Sequence, residues 1–246
     1  MVRMDKIPLE TDAGEPEIRF RDCFSVRYIQ SAALLCRLGF RIEQEFAVTG
    51  NVLVELQLRH EAFILNALFS TVAFLESTIN ELWSDAADNA YFFPDEATEA
   101  ILQAIGKKWK NENYFDRTPM LNKYQKILEI AGKSPFGDEN PAFSNVRDLI
   151  EIRNYLMHYR REWVTIQNDG ISGGGTRVEK FEKMLKNRFE ENPLAPENRP
   201  FFPDRCFGHG CAEWAIENSL SFTDQFFRDL GLPTPYDGIR NELLTK

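Results

Sequence analysis

The feature that most constrains this 246-residue chain is an apolar repeat with helical spacing between residues 52 and 87. The apolar side chains recur every three or four residues, so they share one face of a helix. They are Ile64, Leu68, Val72, Leu75, Ile79 and Leu82. A helix of this length has to bury that face against several other elements. The repeat therefore predicts a long core helix over about 52–87.

Weaker helical patterns on both sides supply the expected partners of the long helix. They predict helices over about 23–46, 96–106, 120–130, 142–163, 177–189 and 210–230. Helix caps are expected at Asn51, Asp95 and Thr176, each of which directly precedes or adjoins a predicted helix. No strand-length run alternates apolar and polar residues, and no segment repeats. The sequence therefore predicts an all-α fold, a core bundle with N- and C-terminal helical additions.

Composition sets the domain organisation. Residues 1–20 are polar and rich in Pro, Gly and acidic residues, which predicts a loose N-terminal arm. The remainder, 21–246, is long enough for one sizeable core, and we predict a single domain whose core covers about 52–165. Glycines at 170 and 173–175 predict a flexible loop, and the proline-rich stretch 191–205 predicts irregular chain packed against the core.

The charge balance limits the partners of the chain. There are 38 Asp and Glu against 29 Lys and Arg, for a formal net charge of −9. Proteins that coat nucleic acid or anionic membranes with their whole surface are normally basic. The balance disfavours that class and leaves room for a local basic site.

Localisation is predicted from the N-terminus and the cysteines. The N-terminal residues lack the apolar segment of a secretory signal, so the four cysteines are expected to be reduced thiols in a cytoplasmic protein. The longest apolar stretch, Ala62 to Leu75, is interrupted by Asn66 and is too short to cross a bilayer. No membrane association is expected.

Several familiar sites are missing from the sequence. Gly173–Gly175 is not followed by the Lys and Ser or Thr of a phosphate-binding loop, and no HExxH motif occurs. Cys206, His209 and Cys211 offer three ligands, whereas a structural zinc needs four, so we expect buried thiols there. His60, a lone histidine in the long helix, is interpreted as a packing or surface residue. No metal or cofactor is predicted.

The candidate catalytic residues are Arg153, Asn154 and His158, near the end of one predicted helix. Asn154 and His158 are four residues apart and lie one turn apart on one face, with Arg153 flanking them. Imidazole can move a proton to or from a ribose hydroxyl, and guanidinium can hold phosphate oxygens in the transition state. These are the groups that phosphodiester cleavage without a metal requires.

The sequence around these residues, LIEIRNYLMHYRR at 149–161, resembles the signature of HEPN domains (higher eukaryotes and prokaryotes nucleotide-binding). In that signature a helix carries Arg, a polar residue such as Asn, and His after a short gap. The segment ALFSTVAFLESTINELW in the long helix is similar to an earlier HEPN helix, and it places Glu76 and Asn80 one turn apart. The resemblance covers about residues 52–165.

The resemblance implies a helical bundle that forms homodimers, so that two copies of the motif share one cleft. It further implies a metal-independent endoribonuclease of the toxin, abortive-infection or antiviral type. His158 would then be the general acid or base, Arg153 the phosphate clamp and Asn154 a positioning residue, with Glu76 and Asn80 as supporting groups. Attack by the ribose 2′-hydroxyl would leave a 2′,3′-cyclic phosphate.

Phosphate contacts are expected from basic residues near the motif. The candidates are Arg147, Arg160 and Arg161, with the lysine-rich segment 107–126. The expected partners are RNA or a nucleotide, a second copy of the chain, and an antitoxin or regulatory protein. Two alternatives stay open. One is a non-catalytic helical module that binds nucleotide, RNA or a protein, and the other is a structural role in which Arg153 pairs with Glu151 or another acid.

Overall fold

The computed structural model describes residues 21–88, 96–111, 117–163, 165–167, 170–172 and 176–246. Most of these residues are helical, which confirms the predicted all-α class. The α-helices are α1 (Phe24–Thr49), α2 (Val54–Ala87), α3 (Glu96–Asn111), α4 (Met120–Ile130), α5 (Pro141–Met157), α6 (Arg177–Leu185) and α7 (His209–Leu230). A short helical turn, Phe201–Arg205, precedes α7, and a 3-10 helix, Asp237–Glu242, follows it.

The predicted flexible loop after α5 contains a small hairpin that the sequence analysis missed. Strand β1 (Thr165–Gln167) pairs antiparallel with β2 (Gly170–Ser172), and Ile166 stands opposite Ile171. Strands of three residues are too short to show an alternating pattern in sequence. The hairpin is an addition to a helical fold and does not change its class.

Helix α2 lies at the centre of the described structure and packs against α1, α3, α4, α5 and α7. Every residue of its predicted apolar face is at most 2% exposed. Thr71 and Thr78 are also buried on this helix, and their hydroxyls donate to the carbonyls of Ala67 and Phe74 at 2.8 Å. The helix thus buries more than one face because its internal polar groups are satisfied within it.

By length and composition, α2 could also cross a membrane. The helix is longer than the apolar stretch 62–75, so the length of that stretch underestimated the apolar length of the helix. Half of its most apolar segment is buried inside the protein. Core helices of soluble proteins have the same character, and the absence of membrane association stays a prediction.

The turn between α1 and α2 differs from the prediction in one cap. Gly50 adopts a left-handed conformation (φ 64°) and its N–H donates to the carbonyl of Phe46 at 2.8 Å, which ends α1. Asn51 does not cap α2, because Thr49 Oγ1 accepts its backbone N–H at 3.3 Å and closes the turn. Helix α2 begins at Val54, two residues after its predicted start at 52. Leu53 precedes it and supplies no side-chain cap.

The observed bounds of the other helices match the predicted bounds at some ends and differ from them at others. Helix α4 has the predicted bounds, and Thr176 caps α6 by accepting the N–H of Glu179 at 3.2 Å. Helix α3 continues five residues beyond the predicted end, whereas α6 stops four residues before it. The predicted arm 1–20 and the cap Asp95 lie outside the described residues.

The largest difference concerns α5, which ends at Met157 and not near Trp163. His158 occupies the C-cap with φ −113° and ψ 37°. Residues 158–161 and 163 are exposed, so a continued helix would gain little stability from tertiary packing there. The chain instead runs to Glu162, whose carboxylate contacts the first residue of α6.

Gly106 allows α3 to approach α2, and substitution there tests that contact. A Cβ at Gly106 would lie 2.2 Å from the carbonyl oxygen of Ala86 and 3.0 Å from Cα of Ala87. Because backbone atoms cannot move aside, we expect Gly106→Ala to lower the free energy of unfolding by about 1–3 kcal/mol. This exceeds the gain of up to about 1 kcal/mol from helix propensity.

Urea denaturation of this variant would be compared with that of Gly238→Ala. No atom lies within 4 Å of a Cβ at Gly238, so that variant should change stability by less than about 0.5 kcal/mol. Equal stability of the two variants would show that α2 and α3 do not approach this closely.

Candidate functional site

The three motif residues lie at the carboxyl end of α5. Arg153 is half-buried, whereas Asn154 and His158 are exposed. The backbone N–H of His158 donates to the carbonyl of Asn154 at 3.0 Å, so His158 still closes the last helical turn. The two side chains therefore start about 6 Å apart along the helix axis, as the sequence spacing predicts.

Arg153 and His158 start from different sides of this helix. Five residues rotate the chain by about 500°, which leaves their Cα atoms about 140° apart around the axis. Helix α5 ends at Met157, so no further turn covers the helix end between them. The long side chain of Arg153 can reach around the open helix end toward His158. If the helix continued to residue 163, a further turn would lie in that path.

The side chains of the motif are not used to hold the fold within the described residues. None of Arg153, Asn154 and His158 has a side-chain hydrogen bond or ion pair to another described residue. The neighbouring acid, Glu151, contacts Lys180 of α6 instead. The described structure therefore lacks the Arg153–Glu151 pair of the structural alternative, and the guanidinium is available to an external anion.

The segment after α5 adds exposed aromatic and basic groups beside the motif. Tyr159 is 59% exposed and Trp163 is 98% exposed. Arg160 and Arg161, between them in sequence, are exposed as well. Exposed apolar surface that is rimmed by polar groups is typical of contact sites for partners. The segment 158–163 therefore presents an imidazole, two guanidinium groups and two aromatic rings to solvent.

Buried aromatic rings fix the position of this helix end. Tyr155 is 5% exposed and packs edge-on against Phe181 of α6 and Phe202, with ring centroids 5.0 and 5.4 Å away. The guanidinium of Arg177 lies 4.8 Å from the centre of the Tyr155 ring. Burial raises the pKa of Tyr155 above its ordinary value. Tyr155 thus anchors the last turn of α5 while its neighbours in sequence stay outside.

Glu162 ties the exposed segment to α6. Its carboxylate accepts the backbone N–H of Arg177 at 3.0 Å and the guanidinium Nε at 2.8 Å. The hydrogen bond from the Arg177 side chain holds the pKa of Glu162 below its usual range. A carboxylate at a helix N-terminus is also favoured by the helix dipole. This contact limits how far residues 158–163 can move from the end of α5.

Glu76 and Asn80 have a partner on another helix. Lys123 of α4 is 4% exposed, and its ammonium group lies 2.8 Å from both Glu76 Oε1 and Asn80 Oδ1. Among the described residues, no contact joins this pair to the motif side chains. The structure therefore brings Glu76 and Asn80 together around a lysine. Their supporting role in a cleft stays a prediction.

The basic residues predicted to bind RNA differ in solvent exposure and in whether they already have an ion-pair partner. Arg147 contacts Asp138, while Arg160 and Arg161 have no side-chain partner among the described residues. In the lysine-rich segment, Lys123 is buried and Lys126 lies 3.0 Å from Glu129. The side chains of 109–116 lie outside the described residues. Arg160 and Arg161 are thus exposed cations directly after the motif, and Lys107 and Arg117 are exposed in the lysine-rich segment.

The cysteine and histidine residues near α7 do not form a metal site in the described part of the chain. Cys206 and Cys211 are buried, and burial raises the pKa of the Cys206 thiol well above its ordinary value. Burial also raises the pKa of Cys36 to about 12. His209 Nε2 lies 3.2 Å from the carbonyl oxygen of Thr245. The three cysteines are therefore buried thiols, and His209 is held by a backbone carbonyl.

Two groups of candidate residues were not predicted from the sequence. Tyr159 and Trp163 fit a helical pattern in the sequence, and only the early end of α5 leaves them exposed. The second group is His60 and Glu43, whose side chains form a buried pair between α2 and α1. Seventeen residues separate them in sequence, so no local pattern relates them.

No family model, curated protein or solved structure matches the chain. The resemblance to HEPN domains rests on the sequence segments quoted above and stays a prediction.

Replacement of Glu162 tests whether it holds the segment after α5. We expect Glu162→Gln to lower the free energy of unfolding by roughly 0.5–1 kcal/mol at neutral pH, because both partners are partly exposed. Its pKa is lowered by folding, so the stabilisation is present above the unfolded value of about 4.3 and is lost as the pH falls through the folded value.

Unfolding measured between about pH 3 and 7 should show the wild type and Glu162→Gln converging at the acidic end. Glu129→Gln, which removes an exposed pair with Lys126, is the control and should change stability less. A constant difference across this range would contradict the assignment.

Proposed function

We propose that the protein is a HEPN-like, metal-independent endoribonuclease that acts as a homodimer. The observation that carries the proposal is the set of unpaired side chains at the end of α5. There the half-buried Arg153 and the exposed Asn154 and His158 have no side-chain partner among the described residues, and Tyr159 and Trp163 are exposed beside them. We expect a surface that combines unpaired polar groups with exposed aromatic rings to bind a ligand.

The proposed reaction is an internal phosphoryl transfer. The ribose 2′-oxygen attacks phosphorus, the bond from phosphorus to the 5′-oxygen breaks, and a 2′,3′-cyclic phosphate and a 5′-hydroxyl form. His158 takes the proton from the 2′-hydroxyl or gives one to the leaving 5′-oxygen. Arg153 binds the non-bridging phosphate oxygens, whose charge grows in the transition state. Asn154 positions the sugar or the phosphate.

The surroundings of the motif favour RNA with unpaired bases. Tyr159 and Trp163 offer ring faces on which bases can stack. The carboxyl end of a helix carries partial negative charge and does not itself attract phosphate. Affinity then has to come from the guanidinium groups of Arg153, Arg160 and Arg161, which agrees with their lack of side-chain partners among the described residues.

The proposed dimer follows from the spacing within one motif. One chain supplies a single histidine at this helix end, whereas the reaction needs a proton acceptor and a proton donor. A two-fold axis would place a second Arg153 and His158 opposite the first. The half-exposed stripe of α2 that contains Ser70, Ala73 and Ser77 is a candidate contact surface, since small side chains permit close approach.

The biological role that we propose is a toxin or an antiviral effector in the cytoplasm, restrained by an antitoxin or regulatory protein. The competing proposal is a non-catalytic module that binds RNA, nucleotide or a protein through the same surface. The intact Arg153 and His158 favour the nuclease.

Cleavage assays with single substitutions test the active site. We expect His158→Ala and Arg153→Ala to lower the rate of RNA cleavage at least about 100-fold, the scale of losing an acid or base group. Thermal stability should change little, because neither side chain has a partner among the described residues. The substrate is mixed RNA in excess EDTA, and the products are tested for cyclic phosphate ends.

Arg228→Ala is the matched control, since Arg228 is an exposed arginine in the last turn of α7. It should cleave as the wild type does. If His158→Ala cleaves RNA at the wild-type rate, the assignment is wrong. If the folded wild type binds RNA without cutting it, the module is the correct function.

Light scattering tests the dimer. The expected particle has twice the 28.5 kDa mass of the chain, with a total buried interface of at least roughly 1,600 Å². Ser77→Glu should dissociate it and abolish cleavage without unfolding, because charge is not tolerated in a close helix contact. A dilute monomer that cleaves RNA at the full rate would contradict the shared cleft.

A further inference from the structure

The outer surface of α6 is basic, although the chain as a whole has a formal net charge of −9. Within residues 176–189, the exposed side chains are four cations and one amide, namely Lys180, Lys183, Lys186, Asn187 and Arg188. No acidic or apolar residue of this stretch is exposed. None of these residues belongs to the proposed catalytic set, which therefore does not account for the basic surface.

The acidic partners of Lys183 and Lys186 lie deeper than the lysines themselves. The side chain of Lys183 is 75% exposed, whereas that of Glu179, 2.8 Å from its ammonium group, is 24% exposed. Lys186 is 51% exposed, and Glu182, 3.7 Å away, is 17% exposed. The outermost layer of α6 therefore consists of ammonium groups with carboxylates beneath them. Ion pairs between exposed groups are weak, so a phosphate can take the place of the carboxylate.

The basic surface begins beside the proposed active site. Tyr155 in the last turn of α5 packs against Phe181 of α6, with ring centroids 5.0 Å apart. Lys180, the residue before Phe181, also contacts α5. Lys183 and Lys186 follow at intervals of about 4.5 Å along the helix axis. A strand that is bound at the end of α5 and continues along α6 would meet these ammonium groups in succession.

Single-stranded RNA fits this surface better than a protein or a membrane does. Protein interfaces have an apolar core, and helices that lie on membranes bury an apolar face in the lipid. The exposed side of α6 supplies neither. Single strands bind to basic grooves that also carry aromatic rings. Tyr159 and Trp163 are exposed in the segment that Glu162 joins to the first residue of α6.

We propose that Lys180, Lys183 and Lys186 bind successive phosphates of the RNA strand that passes from the end of α5 along α6. This role rests on the ribonuclease function proposed above, because the strand along α6 continues the strand that is cut. The lysines supply affinity and touch no reacting atom, so their removal weakens RNA binding and leaves the chemical step unchanged.

Binding of an uncleavable RNA to the full chain tests this surface. The probe is a labelled single strand of about 12 nucleotides with 2′-O-methyl riboses, which lack the attacking hydroxyl. Fluorescence anisotropy should give a Kd about tenfold higher for Lys183→Gln/Lys186→Gln than for the wild type. The slope of log K against log salt concentration should be smaller by about 1.4, because each contact to a single-stranded phosphate contributes about 0.7.

A second double variant controls for the loss of net charge. Lys133→Gln/Lys246→Gln replaces two exposed lysines that lie outside the motif, α6 and the lysine-rich segment, and it should bind the probe as the wild type does. Both double variants should stay folded by circular dichroism, because Gln has nearly the helix propensity of Lys.

Equal Kd values for the α6 variant and the wild type, or equal weakening by the control, would overturn the proposal. Cleavage of ordinary RNA in EDTA separates this result from the ribonuclease function. Cleavage with lysine-independent probe binding would reject only the α6 surface, and lysine-dependent binding without cleavage would reject only the catalytic function. Lysine-dependent binding to vesicles of phosphatidylserine and phosphatidylcholine, with no binding of the probe, would make the surface a membrane contact and overturn the proposal.

Discussion

The burial of α2 is the constraint on which the rest of the described structure depends. A 34-residue helix with more than one apolar face has to be covered along most of its length. Helices α1, α3, α4, α5 and α7 supply that cover, and close approach is possible where Gly39 and Gly106 leave out a side chain. The other elements are arranged around this helix because its apolar surface has to leave water.

Polar residues of α2 make this arrangement specific. Glu81 accepts the backbone N–H of Ser25 at 2.9 Å and so binds the first turn of α1. Farther along the helix, Glu76 holds Lys123 of α4, and His60 holds Glu43 of α1. Buried or partly buried polar pairs of this kind favour one register between helices, because a slip would leave a buried group without a partner. In the His60 pair, Nδ1 is buried and has no hydrogen-bond partner among the described residues.

The end of α5 shows how the same packing exposes a candidate site. Tyr155 is buried against α6, whereas His158, Tyr159 and Trp163 are exposed, with Tyr159 edge-on to the outer side of the Tyr155 ring. Because the helix stops at Met157, the segment 158–163 is free to follow its own path to Glu162. The candidate site is thus a helix end that buried Tyr155 holds against α6 and whose following residues are exposed to solvent.

The sequence by itself determined the helical class, the extent of α2 and the bounds of α4, because these follow from local periodicity and length. It also singled out Arg153, Asn154 and His158, whose spacing is local. The tertiary structure decided the end of α5, since only packing shows that residues 158–161 stay exposed and would gain little from a continued helix. It likewise decided that Lys123 is buried and that Glu43 meets His60. Contacts between distant segments depend on how helices cross, and no local pattern in the sequence records that.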